Sequence, residues 1–211
     1  MSDTYHKIQT VYMRDPATSH KTLLDGQYSL PEFAYLADNE WTWTEKVDGT
    51  NIRVMGSLGR VSFGGKTDAA QIPAKLVEVL RNTFTEDGCG IAFPPTVDFC
   101  LYGEGYGAGI QKGGNYRPDQ SFVLFDVLIA GRWWLNREDV EDVARKLGID
   151  VVPIIGHGTL AEMVERTREG FPSLWNSSHL AEGIVARPAV ELFSRKGERI
   201  ITKIKHADFR G

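Results

Sequence analysis

A chain of 211 residues, 42% hydrophobic and 25% charged, has the balance of one globular domain with enough length for a real core, which excludes disordered and collagen-like classes. Its formal net charge of −4 argues against a protein that coats nucleic acid by charge alone. The charge is uneven: between 195 and 211 six Lys or Arg stand against Glu198 and Asp208, a local +4 on a body of −8, and this suggests an anion site near that end.

In chain order, the first strong signal is WTWTEK at 41–46, where aromatic and β-branched residues alternate with polar ones. Period two puts Trp41, Trp43 and Glu45 on one face and Thr42, Thr44 and Lys46 on the other. Further strands are predicted at 51–56, 59–64, 97–103, 121–129, 151–155, 182–187 and 198–205, several joined by turns such as DGTN and SLGR. Helices are predicted over 72–84, over 136–148 with Asn136 as cap and Asp139 in its first turn, and over 159–169, where Thr159 and Glu162 form a capping-box signature. Strands in groups without a regular βαβ beat predict an α+β domain built mainly of antiparallel sheet. On the polar side of the early strands Lys46, Asn51 and Arg53 would collect as a pocket floor.

No charged n-region leads into an apolar run at MSDTYHKIQT, and FVLFDVLIA is short and interrupted by Asp126, so a cytoplasmic chain with no membrane span is expected. Cys89 and Cys100 lack metal-ligand spacing and read as buried packing. The five histidines show no H-E-x-x-H pattern, the glycine-rich segment 103–114 lacks the order of a P-loop, and G-x-S-x-G is absent.

Five segments occur in a fixed order: EKVDGTN at 45–51, YGEGYGAGIQKGGNYR at 102–117, FVLFDV at 122–127, AEGIVARP at 181–188 and TKIKHADF at 202–209. Together they resemble the ordered motifs of the covalent nucleotidyltransferases, the superfamily of RNA ligases, DNA ligases and mRNA capping enzymes. The resemblance is closest to nick-sealing phage and editing-type RNA ligases, through Lys46-Val-Asp-Gly-Thr-Asn51 and through Gly103-Glu104 leading to Gly109-Ile110-Gln111. DNA ligases typically carry arginine where this chain has Asn51.

The resemblance implies a nucleotidyltransferase fold with flanking helices around a nucleotide pocket, and one adenylation domain over 1–211 with no appended C-terminal OB-type domain, since six residues follow Lys205. It implies an ATP-dependent RNA ligase that joins 5′-phosphate and 3′-hydroxyl ends through a lysyl-AMP and an adenylylated RNA 5′ end, with magnesium or manganese. The partner would be RNA, chiefly a nicked duplex as in RNA repair, with no obligate protein partner. A GTP-using capping-type guanylyltransferase and a noncatalytic nucleotide- or RNA-binding module are the alternatives.

By the same resemblance Lys46 is the nucleophile, Lys203 and Lys205 contact the α-phosphate, Glu104 holds the ribose hydroxyls, and Glu182 lies near the metal and the lysine. Phe125 would stack on the purine. Glu45 and Asn51 join the nucleotide contacts, and Lys66 grips phosphate, with Arg60 competing for that role. The residue types suit the chemistry. A free lysine, with a pKa of about 10.4, is neutral in only about one molecule in a thousand near pH 7.4, and the leaving pyrophosphate needs fixed cations around it. Glu104 and Glu182 sit inside otherwise apolar strand runs, where an unpaired carboxylate would cost several kcal/mol, so both need partners.

Overall fold

The computed structural model describes residues 4–210. Its elements in chain order are β1 (Gln9–Thr10), β2 (Tyr12–Arg14), β3 (Leu23–Tyr28), α1 (Pro31–Tyr35), β4 (Trp41–Lys46), β5 (Thr50–Ser57), β6 (Arg60–Gly64), α2 (Ala74–Thr83) and α3 (Glu86–Ala92). They continue as β7 (Phe99–Tyr106), β8 (Ser121–Ile129), β9 (Trp133–Trp134), α4 (Arg137–Leu147), β10 (Asp150–Val151), β11 (Ile154–Gly158), α5 (Leu160–Glu169), β12 (Gly183–Pro188) and β13 (Thr202–Lys205). Within the expected domain the chain forms two compact units, one from residues 4–6 and 48–152, the other from 7–47 and 153–210.

The first unit is a sheet in the order β10-β8-β7-β5-β6, with β9 on β8; every pairing is antiparallel except the parallel β10–β8. One sheet face is apolar because alternate residues such as Ile52, Val54, Leu101 and Leu124 bury against Leu76 and Leu80 of α2 and Val140 and Val143 of α4. Asn136 caps α4 by accepting from the Asp139 N–H at 2.9 Å, and Gly148, at φ 66°, ends it in the left-handed conformation.

The second unit is the five-stranded sheet β1-β13-β12-β4-β11, with the β2–β3 ribbon forming a separate two-stranded sheet. Its inner face carries Trp41, Trp43, Ile184, Ala186 and Ile204 against Leu160, Met163 and Val164 of α5. The predicted capping box starts α5: Glu162 N–H donates to Thr159 Oγ1 at 3.2 Å, and Thr159 N–H donates back to Glu162 Oε2 at 2.7 Å.

The predicted strand at 151–155 divides into β10 and β11, which belong to different sheets. Pro153 has no N–H for a ladder and stands between them. The expected strand 198–205 shortens to β13, and β1 to β3, α1 and α3 have no counterpart in the prediction. Gly88 and Gly90 dilute the helical signal of α3, which starts on Thr85 accepting from the Gly88 N–H at 3.0 Å. Cys89 and Cys100 are buried and are not joined in a disulfide. Among the described residues no helix is long and apolar enough to cross a membrane.

Glu45 shares the inner face with the tryptophans, as the alternation requires, and is 1% exposed. Its oxygens accept from Ser173 Oγ at 2.5 Å and from the Leu174 N–H at 2.9 Å. Glu45, expected among the nucleotide contacts, thus ties β4 to the segment after α5. Burial holds its carboxyl above the ordinary value of 4.5, opposed by those two hydrogen bonds.

Two predictions follow from this packing. Leu160→Ala, at a fully buried position, should cost about 2–5 kcal/mol of unfolding free energy in urea, whereas Ile91→Ala, 68% exposed, should stay within about 0.5 kcal/mol. Because the folded pKa of Glu45 is raised, the folded protein binds its proton more tightly than the unfolded chain, so this group favours folding at low pH and the benefit is lost as pH rises through the folded value. As pH rises above the ordinary carboxyl value of 4.5, unfolding free energy should fall more steeply for wild type than for Glu45→Gln. Equal slopes would contradict the assignment.

Candidate active site

The outer face of the second unit's sheet gathers the lysines. β12 lies between β4 and β13, and its first residue, Gly183, pairs with Lys46 on one side and Lys205 on the other. One step along, Val185 pairs with Thr44 and with Lys203. Trp41, Trp43 and Glu45 turn inward with Thr202 and Ile204, so Lys46, Lys203 and Lys205 all emerge on the opposite face. Gly183 permits the close approach: a β-carbon there would stand 2.1 Å from the Ile204 carbonyl oxygen and 2.8 Å from Lys205 Cα.

Glu182, immediately before β12, joins the two flanking strands. Its Oε2 lies 2.6 Å from Lys46 Nζ and its Oε1 lies 2.6 Å from Lys205 Nζ. The Lys46 and Glu182 side chains are 19% and 12% exposed, and Lys205 is 38% exposed. One carboxylate thus offsets two ammonium groups that would otherwise repel each other across a single strand. This trio, with Lys203 beside it, is the set that the motif order singled out.

The first unit holds Asn51, Glu104, Phe125, Lys66 and Arg60. Asn51 on β5 is the cross-strand partner of Glu104 on β7, whose other neighbour is Val123 on β8. Gly49 packs against the same place, where a β-carbon would come within 2.3 Å of the Gly105 carbonyl oxygen and 2.9 Å of Glu104 Cγ. The Tyr116 hydroxyl accepts from the Asp48 N–H at 3.3 Å, which pins the turn that follows the lysine motif to the glycine-rich segment. The Oδ1 atom of Asn51 is buried and has no hydrogen-bond partner within the protein, an acceptor left open beside a carboxylate.

Phe125 is half-buried beside Tyr102, on the sheet face away from α2 and α4, with Tyr5 edge-on at 5.1 Å between ring centroids. The Tyr5 hydroxyl donates to the fully buried Asp126 at 2.5 Å. Lys66 is exposed on the loop after β6, and Arg60 is exposed at the start of β6.

Arg53, expected on a polar floor with Lys46 and Asn51, is buried instead. Lys46 belongs to the second unit, and Arg53 is 1% exposed in the first, with Nε donating to the Gly65 carbonyl at 2.8 Å and Nη2 to Asp68 at 2.7 Å. The basic C-terminal stretch is also partly spent internally, since Arg199 pairs with Glu191 at 2.6 Å and Lys205 with Glu182. Asp208 entered the reading of the sequence as a charge to be counted; it accepts from the Lys205 N–H at 3.0 Å and from Arg14 at 2.9 Å. An acid three residues beyond a strand end is a visible cap signal for Asp208. Arg14, 194 residues away, leaves no local one.

Among the described residues no group of three His, Cys, Asp or Glu is arranged to hold a metal. The donor set on the lysine face is the Glu182 carboxylate. That suits a magnesium-type ion, which takes one or two carboxylates and completes its shell with phosphate and water, and does not suit a zinc cage.

The structure is similar to solved forms of the Naegleria gruberi RNA ligase. One, a variant with ATP and manganese, has a TM-score of 0.67 at 19% identity over 85% of this chain and 53% of that one. A second variant, with AMP and manganese, has a TM-score of 0.67 at 17% identity over 99% of this chain and 61% of that one. A third form, with pyrophosphate, has a TM-score of 0.67 at 17% identity over 94% and 54%. The chain therefore spans a little over half the length of these relatives, and the likeness is one of α+β fold. The RNA ligase family profile matches residues 39–205, from just before the lysine motif to its last lysine, and on that match this chain belongs to the RNA ligase family.

Proposed function

We propose that this chain is the adenylation domain of an ATP-dependent RNA ligase, acting in the cytoplasm, and that Lys46 carries the nucleotide. The observation that supports this most is the Glu182 carboxylate held between Lys46 and Lys205, on a face that also presents Lys203. In this reading Lys46 Nζ attacks the α-phosphorus of ATP, a P–N bond forms, and the bond to pyrophosphate breaks. Glu182 is the acceptor within reach of the proton that Nζ must lose. Lys203 and Lys205 meet the negative charge that grows on the α-phosphate oxygens.

Glu104 and the open Oδ1 of Asn51 would receive the hydroxyl and amine donors of the nucleoside, and Phe125 would stack on its base. A divalent ion, magnesium or manganese, would be held by Glu182 together with phosphate, and supplies charge neutralisation for the leaving group. ATP and manganese accompany the Naegleria relative, which supports the choice of ATP over GTP. Transfer of AMP to an RNA 5′-phosphate frees Lys46, and attack by a 3′-hydroxyl joins the ends and releases AMP. A net charge of −4 leaves few phosphates to be neutralised, so a complementary strand should supply the proximity of the ends.

The test is covalent labelling. Wild type incubated with ATP and magnesium should gain the mass of one AMP, and Lys46→Ala should gain none; equal labelling of both, or labelling from GTP alone, would overturn the reading. Lys203→Ala and Lys205→Ala should each slow single-turnover adenylylation by about a hundredfold or more. Joining should favour a nicked RNA duplex over unpaired ends. Preference for an all-DNA nick would refute the RNA assignment.

A further inference from the structure

Strand β13 carries Lys203 and Lys205 and is supported unequally along its length. On one side β12 runs beside all of it, and beyond the strand the His206 N–H still donates to the Glu182 carbonyl at 2.9 Å. On the other side β1 pairs in parallel with Thr202 and Lys203, and the contact ends where the Val11 N–H donates to the Lys203 carbonyl at 3.0 Å. Successive backbone N–H groups in a strand point to opposite sides, so the Lys205 N–H points to the side that β1 has already left. A strand group in that position needs another acceptor.

The acceptor is Asp208. Its Oδ2 takes the Lys205 N–H at 3.0 Å, while Oδ1 takes Arg14 Nη2 at 2.9 Å. The Asp208 side chain is 7% exposed, and Arg14 also donates through Nη1 to the His20 carbonyl at 3.2 Å. The turn bearing Asp208 is fixed in its own right, because His206 Nδ1 sits 2.9 Å from the Thr167 carbonyl of α5 and so donates to it. Asp208 meets the Lys205 backbone, and Arg14 and the Thr167 carbonyl, from separate parts of the second unit, hold it and its turn in place.

We infer that Asp208, held by Arg14, is a positioning residue that replaces the missing strand at Lys205 and so fixes the Lys205 ammonium against Glu182. This rests on the adenylylation reading given above. In this role Arg14 and Asp208 act through Lys205. Their effect should therefore fall on the rate with ATP bound more than on ATP binding.

The experiment measures single-turnover labelling by ATP, with the melting temperature recorded for each variant. Asp208→Ala should lower the saturated rate about ten- to a hundredfold, the cost of a misplacement of about 1 Å, while the ATP concentration at half-maximum rate moves less than about threefold. Asp208→Asn keeps one oxygen for the Lys205 N–H but sets its amide N–H groups against Arg14, so its rate should fall between those of Asp208→Ala and wild type, and Arg14→Lys should outperform Arg14→Ala. The double variant Asp208→Ala/Lys205→Ala should be no slower than Lys205→Ala, because the two act on one path.

A folded Asp208→Ala at wild-type rate, an additive double variant, or Asp208→Asn as impaired as Asp208→Ala would each overturn the positioning role. If Asp208→Ala does not fold, the Asn variant and its double with Lys205→Ala decide by the same criteria. A wild type that takes no label overturns the adenylylation reading and this inference with it, whereas a labelled wild type with unaffected variants overturns the positioning role alone.

Discussion

One carboxylate between two ammonium groups governs the arrangement of the second unit. Lys46 and Lys205 project from strands that flank the same neighbour, so their charges would repel at short range in a half-buried setting. Glu182 resolves this by giving one oxygen to each, at 2.6 Å. Removing it would leave two cations close together, and removing either lysine would leave the carboxylate half-satisfied. The sheet register, the absence of a side chain at Gly183 and the inward turn of Glu45 all serve to keep these three groups at one end of one face.

Glu45 and Glu182 show how environment divides two similar side chains. Glu45 follows the tryptophans inward, where uncharged donors meet it and burial opposes its ionisation. Glu182 precedes its strand and meets two full positive charges. In the first unit, Asn51 and Glu104 repeat the principle of polar groups paired across a ladder, with one acceptor left open. Identity of 17–19% with the Naegleria ligase at a TM-score of 0.67 shows how little of the side-chain detail the backbone arrangement depends on.

Much of this was legible in the sequence where alternation or spacing encodes it. The period of WTWTEK separates Lys46 from Glu45, and the order of the motifs groups Lys46 with Glu182, Lys203 and Lys205. Asn136 and the Thr159–Glu162 pair mark their helix starts through contacts three residues apart. What stayed hidden depends on distant parts of the chain. Arg53 looks like a surface cation until Gly65 and Asp68 fold over it, and Arg14 gains its meaning from a carboxylate 194 residues away. The short strands β1 and β2 have too few residues to display a period, so tertiary pairing alone makes them strands.

The order of strands in the lysine-bearing sheet has a consequence for how the protein is made. Lys46 leaves the ribosome early, yet Glu182 follows 136 residues later and the β13 lysines later still, while β1 waits from residue 9 for a partner at 202. The first unit's segment 48–152 is complete before any of these partners exist and contains its own core. Synthesis therefore completes the segment 48–152 first and closes the sheet around Lys46 last, through contacts of very high sequence separation that form slowly. A chain that stops short of β13 would leave the outer edge of β12, the strand next to the one carrying Lys46, unpaired and open to other chains.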